Sequence, residues 1–230
     1  LCRIPWCVPS WQSSCTAPGP SPRIIRTTVI EKSMTDSAAK PVRIILASAS
    51  PRRRELLRQI GIDFEVVVST ADEQVLEGES PTEYVLRVAR DKALEVKRRK
   101  GTPLPVLGAD TAVILDDSIL GKPGNRAEAV AMLERLSGRT HEVYSAVALA
   151  LGNGEVHDSL NITRVTFAEL DRGWIEDYCD TGDPMDKAGA YGVQGRAAEK
   201  IARIEGSFSG VMGLPLFETS RLLQHAEMVL

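Results

Sequence analysis

The chain predicts an α/β domain preceded by an unstructured tail, and three observations carry that prediction. From residue 42 onward, apolar runs with strand character alternate with amphipathic helical stretches. Two of the helical stretches, at 80–99 and 125–138, bring their own start or stop signals. Composition completes the set: 230 residues at 43% hydrophobic and 26% charged suffice for one sizeable core in a globular protein.

Residues 1–40 are rich in Pro, Ser and Thr and lack periodicity; they are expected to be a disordered tail upstream of a true start at Met34. Cys2, Cys7 and Cys15 within it match no zinc spacing, and no continuous apolar segment supports a secretory signal. The domain is then expected over 41–230. The run at 42–47 reads as a buried strand. Ser50 follows as an N-cap with Pro51 at the first helical position, and Glu55, Leu56 and Leu57 continue the helix. A strand is predicted at 64–69. "SPTEYVLRVARDKALEVKRR" opens with Ser80, Pro81 and Glu83, a capping box with proline at its first position. Strands at 104–108 and 111–115 come next. "NRAEAVAMLERLSG" has Asn125 as cap, Glu128 three residues on and Gly138 as its stop. Strands at 142–151 and 163–170, a helix at 174–179, shorter strands at 188–194 and 200–204, and a helix at 215–226 complete the pattern. Alternation of this kind places a cleft between layers.

Several function classes are excluded at this stage. The net charge is −3, and beyond the tail 23 Lys/Arg face 29 Asp/Glu, so no basic field points to nucleic acid. No apolar stretch approaches the roughly 20 residues of a membrane helix. Cys179 is alone in the domain, which excludes a disulfide framework and indicates a reducing, cytoplasmic setting. His141, His157 and His225 are isolated and give no zinc site. No "GxxxxGK[ST]" is present, so this is not a P-loop protein.

Arg52, Arg53 and Arg54 occupy the first helical turn, where the dipole favours anions. Either they are a solvated helix start paired with acidic neighbours, or they cradle a phosphate at the helix N-terminus. Asp110 interrupts the apolar "PVLGADTAVIL". It is either paired or metal-bound inside a strand, or it faces solvent at a strand-end turn helped by Gly108. Lys92 shares the apolar stripe of Tyr84, Val85, Val88 and Val96, and it either snorkels to an edge or aims into a cleft. The run from Lys97 to Lys100 is a dipole-favoured, solvated helix end. In "PMDKAGAYGVQG", Gly189, Gly192 and Gly195 either admit a ligand close to the backbone or mark a bulged strand. Gln194 presents one donor and one acceptor, a complement to the N3–H and adjacent carbonyl of uracil or thymine. Lys122, in "ILGKPGN", is an exposed turn lysine or a second phosphate contact.

Together "LASASPRRRELL", "GADTAVIL", "GKP", "LSG", "DKAGAYGVQG" and "VMGLPL" resemble the Maf family of nucleoside triphosphate pyrophosphatases, from about residue 42 to the C-terminus. The dTTP/UTP subgroup is the nearer match, since the 7-methyl-GTP subgroup has Trp where this chain has Arg52. The resemblance implies a mixed central sheet flanked by helices, with two lobes around a nucleotide cleft, and hydrolysis between the α- and β-phosphates. It places the general base on Asp110 and specificity positions on Arg52, Thr111 and Gln194. Phosphate-binding lysines fall on Lys92 and Lys122, further pocket positions on Ser50 and Lys187, and a divalent metal (Mg or Mn) on Glu73 with Asp110. The expected partner is a nucleoside triphosphate, modified pyrimidine nucleotides included, without nucleic acid or membrane; a homodimer is what the family suggests. Two other readings stand beside this one: a nucleotide-binding regulator of septum formation without turnover, and a 7-methyl-GTP-type pyrophosphatase. The retained Asp110 speaks against pure binding, since a carboxylate facing a triphosphate weakens binding unless metal or catalysis needs it.

Overall fold

The apolar run after residue 42 enters the structure as β1 (Arg43–Leu46), the second strand of a mixed seven-stranded sheet. The computed structural model describes residues 43–229, all within one unit, so the tail and the start at Met34 lie outside the described residues. Ser50 caps α1 (Pro51–Gln59) by accepting from the Arg53 amide, with proline at the first position as expected. β2 (Asp63–Val66) pairs parallel to β1, and the chain then runs without regular structure to α2 (Pro81–Lys100). The reciprocal Ser80–Glu83 capping box starts α2, and Gly101, in the left-handed region at φ +57°, ends it.

β3 (Val106–Leu115) is one continuous strand where the sequence suggested two. Asp116 and Asp117, at φ +50° and +60°, turn it tightly into β4 (Ser118–Leu120). After α3 (Arg126–Leu136), β5 (Thr140–Ala150) and β6 (Val156–Phe167) form a long antiparallel hairpin. β6 begins well before the predicted strand and stops at Phe167: residues 156–162, with the polar run His157–Ser159, pair with β5 on a partly exposed ribbon. α4 (Arg172–Asp180) and a series of 3-10 turns lead to β7 (Ile201–Glu205), then α5 (Phe208–Met212) and α6 (Leu216–Val229). The strand expected at 188–194 is absent: Ala188–Ala190 is a 3-10 turn. Gly189 sits at φ +67° and donates its amide to the Gly121 carbonyl, which breaks the extended geometry.

Strand order is β2-β1-β3-β5-β6-β7, with β4 on the same side of β3 as β1. α2 covers one face, packing Val85, Ala89, Ala93 and Val96 on Ile45, Val106, Ala112 and Ala146. The opposite face is covered by α1 and α6 over Leu46, Leu107 and Leu149, and by α3 and α4 over Val113, Val143 and Phe167. Among the described residues no helix is long and apolar enough to cross a membrane.

Candidate active site

The site starts from a gap in the pairing of β3. β1 reaches only as far as Leu107, and β4 ends opposite Val113, so residues 108–112 carry strand pairing on the β5 side alone. At that gap the chain leaves β1 and turns into α1, and a cleft of about 870 Å³ opens. That size lies in the range of roughly 300–1,000 Å³ typical of small-molecule sites. The nine positions that the family resemblance marks as site residues line it: Ser50, Arg52, Glu73, Lys92, Asp110, Thr111, Lys122, Lys187 and Gln194.

Period-two alternation sends Gly108, Asp110 and Ala112 toward α2 and Thr111 to the other face. Gly108 permits the close approach. A Cβ there would stand 2.2 Å from the Ala89 carbonyl oxygen and 2.8 Å from the Ala93 amide nitrogen. The contact brings Lys92 of α2 onto Asp110, with Nζ donating to Oδ1 at 2.8 Å. Asp110 is therefore paired inside a continuous strand, and the solvent-facing turn aided by Gly108 is ruled out. Lys92 and Asp110 are only 7% and 5% exposed, so neither snorkelling nor full solvation of the carboxylate applies. Lys92 Nζ also reaches Glu73 Oε1 at 3.0 Å.

Glu73 sits on the irregular segment before α2, and Tyr84 holds that segment by donating its hydroxyl proton to the Glu73 carbonyl at 3.1 Å. Burial, with Asp110 and Glu73 adding to it, pushes the Tyr84 phenol up to about 12, so it remains a donor. Burial would raise the Glu73 carboxyl, but Lys92, with Lys122 and Arg53 assisting, holds it below its ordinary value. The two carboxylates suit a hard divalent cation in donor chemistry. Among the described residues no three His, Cys, Asp or Glu groups converge, so a metal here would complete its shell from water or a ligand.

The three arginines of the first helical turn have separate tasks. Arg52 makes a half-exposed ion pair with Asp186 at 3.6 Å, a contact worth about 0–1 kcal/mol. Arg54 donates to the Ala49 carbonyl. Arg53, which the sequence does not distinguish from its two arginine neighbours, turns into the site: Nε donates to the Gly213 carbonyl at 2.8 Å, Nη1 to Ser48 Oγ at 3.2 Å and Nη2 to Thr111 Oγ1 at 3.4 Å. It makes no ion pair among the described residues. Burial lowers its pKa, and Arg52 does so too, against Asp110 and Glu73, yet a guanidinium stays charged. The sequence signal for Arg53 was its place three residues after the Ser50 cap, which aims it back over the loop.

Lys187 lines the cleft, but its three donors are taken by the Asp183 carbonyl at 2.6 Å, Asp183 Oδ1 at 2.9 Å and Asp186 Oδ1 at 2.6 Å. Gly192 makes room for its stem, since a Cβ there would meet Lys187 Cε at 2.7 Å. The glycines of this stretch thus serve close internal packing. Gln194 and Lys122, by contrast, are exposed at the cleft with no hydrogen bond among the described residues.

Residues 43–226 match the family model described as Maf-like protein. The dTTP/UTP pyrophosphatase of Methylobacillus flagellatus is 53% identical over 184 residues, spanning 80% of this chain and 92% of that one. Those of Cupriavidus pinatubonensis and Bordetella pertussis are 50% and 49% identical, spanning 80% and 82% of this chain and 97% and 95% of theirs. Among solved structures, a HAM1 protein from Coxiella burnetii aligns over 80% of this chain and 100% of its own, with a TM-score of 0.46 at 19% identity.

Proposed function

The chain belongs to the Maf-like family, and from that premise we propose that it hydrolyses dTTP and UTP between the α- and β-phosphates, releasing nucleoside monophosphate and pyrophosphate. The observation that carries the proposal is the cleft itself. Two carboxylates held on one buried lysine face Arg52, Arg53 and Lys122 across a space of nucleotide size. A triphosphate carries about four negative charges near neutral pH, and its transfer reactions are catalysed chiefly by positioning and charge neutralisation. Asp110 takes a proton from water as the water oxygen attacks the α-phosphorus. The bond from that phosphorus to the bridging oxygen breaks, and pyrophosphate leaves with the electron pair. Lys92, Lys122 and Arg53 receive the phosphate oxygens. Arg52, Thr111 and Gln194 read the nucleoside, with the Gln194 amide matched to the N3–H and carbonyl of uracil or thymine. Ser50 caps α1 and fixes the loop that carries these arginines, and Lys187 braces the facing turn. A divalent cation such as Mg or Mn, held by Glu73 and Asp110, would add charge neutralisation at the phosphate oxygens. Modified pyrimidine triphosphates fit the same chemistry, and the buried thiol of Cys179, the only cysteine among the described residues, suits a cytoplasmic setting.

The test is a panel of nucleoside triphosphates with magnesium, assayed for pyrophosphate. Turnover highest with dTTP and UTP is expected. Binding without turnover would leave a nucleotide-binding regulator, and a preference for 7-methyl-GTP would move the chain to the other subgroup.

A further inference from the structure

Thr111 stands on the cleft wall, and Ser145 is its direct cross-strand partner on β5. Ser145 is fully buried, does not line the cleft, and donates its hydroxyl proton to the Gly210 carbonyl of α5 at 2.6 Å. That is a short bond for a hydroxyl donor. The same hydroxyl approaches Thr111 Oγ1 from its donor side at 3.3 Å, the longer branch of one shared proton. Thr111 Oγ1 in turn donates to the Gly213 carbonyl at 3.4 Å. Arg53 Nη2, which can only donate, approaches Thr111 Oγ1 at 3.4 Å.

The Thr111 hydroxyl is thus met from inside the protein by one acceptor and by the donors of Arg53 and Ser145. Its proton goes inward, to Gly213, and what it shows the cleft is oxygen. α5 keeps the two carbonyls in place. Ser207 caps it by accepting from the Gly210 amide, and Gly213, at φ +119°, ends it with room for Arg53 and Thr111.

We propose that Ser145 is a positioning residue for specificity: its bond to the Gly210 carbonyl, which also accepts from the Gly213 amide at 2.9 Å, holds in place the Gly213 carbonyl that takes the Thr111 proton. Thr111 then faces the cleft as an acceptor, and the site reads a donor on the nucleotide. The donor is the N3–H of a uracil or thymine ring or a hydroxyl of the sugar. The inference rests on the cleft being the nucleotide site and on Thr111 touching the nucleotide. Without the Ser145 hydroxyl, α5 loses its anchor on β5 and the Gly213 carbonyl its hold on the Thr111 proton, so the threonine rotor can turn that proton to the cleft and accept substrates that present an acceptor there.

The experiment measures kcat and KM for dTTP, dCTP and 3′-deoxy-dTTP with wild type, Ser145→Ala, Ser145→Cys, Thr111→Val and the Ser145→Ala/Thr111→Val double variant, each checked by thermal melt. Cytosine replaces the N3 donor by an acceptor, and the 3′-deoxy sugar lacks the hydroxyl, so the two ratios distinguish the sources. Ser145→Ala should reduce one of the ratios, dTTP over dCTP or dTTP over 3′-deoxy-dTTP, by about tenfold through KM, with kcat nearly unchanged. Ser145→Cys, close in size and a weak donor, should fall between, and it carries the test if the alanine variant does not fold. In the Thr111→Val background Ser145→Ala should change neither ratio further. If Thr111→Val shifts a ratio and neither Ser145 variant does, Ser145 has no such role and the proposal is overturned. If Thr111→Val shifts neither ratio, the contact between Thr111 and the nucleotide is itself absent, and this proposal goes with it while turnover at the cleft stands.

Discussion

Lys92 satisfies Asp110 and Glu73 at once, and that triad decides what single substitutions do. Asp110→Asn keeps an acceptor for Lys92, and Glu73 keeps the ion pair, so the variant should still melt cooperatively. Its turnover should nonetheless fall by roughly 10² or more, the usual worth of a positioned base. Kinetics and melts on one preparation check this, and retention of most activity would remove Asp110 from the chemistry. Lys92→Met makes a different demand. The lysine already supplies a positive charge between the two carboxylates, so a divalent ion must displace it or share its place. Removing that charge should tighten Mn²⁺ binding to the nucleotide-free protein by about tenfold or more, although phosphate binding and turnover suffer. Titration calorimetry with Mn²⁺ reads this directly, and an unchanged affinity would mean that metal does not compete for the lysine's position.

At the scale of elements, the close seat of α2 on β3 sets the distance between Lys92 and Asp110. Gly108→Ala would drive a methyl group into the Ala89 carbonyl and the Ala93 amide. Backbone cannot rotate aside, so the helix must shift. Overpacking of this kind costs roughly 1–3 kcal/mol, and the loss should appear in the denaturant midpoint together with a fall in kcat. A fall in stability with kcat intact would show that the seat of α2 does not set the pair. Much of this architecture was legible beforehand. The capping box at Ser80 and Glu83, the Asn125 cap and the Ser50–Pro51 start are local signals, and each sits where it was expected. β3 was less so, because Gly108 and Asp110 break an apolar run whose continuity depends on α2 and on Lys92. The first half of β6 was hidden by its polar run His157–Ser159, and the turn at Asp116–Asp117 by its lack of glycine. The expected strand at 188–194 failed for a tertiary reason, the contact of Gly189 with Gly121 and Val113. At the site, individual polar residues inside apolar patterns stood out. Arg53 did not, because three adjacent arginines look alike until the loop is folded.

At the scale of the whole molecule, acid should weaken the fold through a group away from the charged cluster. His141 is 2% exposed, stacks on Phe167 and shares a 2.7 Å hydrogen bond with Tyr191 on the cleft, while its Nδ1 has no partner among the described residues. Burial pulls its pKa down to about 4 from 6.5. The unfolded chain therefore binds a proton that the folded one refuses between those values. Stability from this residue is complete above about 6.5 and is lost as the pH falls toward 4, on the order of 3 kcal/mol in all. Urea midpoints from pH 7 to 4 should fall in wild type and fall less in His141→Phe; parallel curves would deny the assignment. Hydrolysis of dTTP and UTP between the α- and β-phosphates, in the cleft at the gap in β3, is read directly from the fate of the attacking water oxygen. The protein is run to completion on dTTP in ¹⁸O-labelled water with magnesium, and the products are identified by mass spectrometry. Labelled dTMP with unlabelled pyrophosphate, formed by wild type and nearly abolished in Asp110→Asn, is the predicted result. Production of dTDP and phosphate, or label in the pyrophosphate, would contradict it.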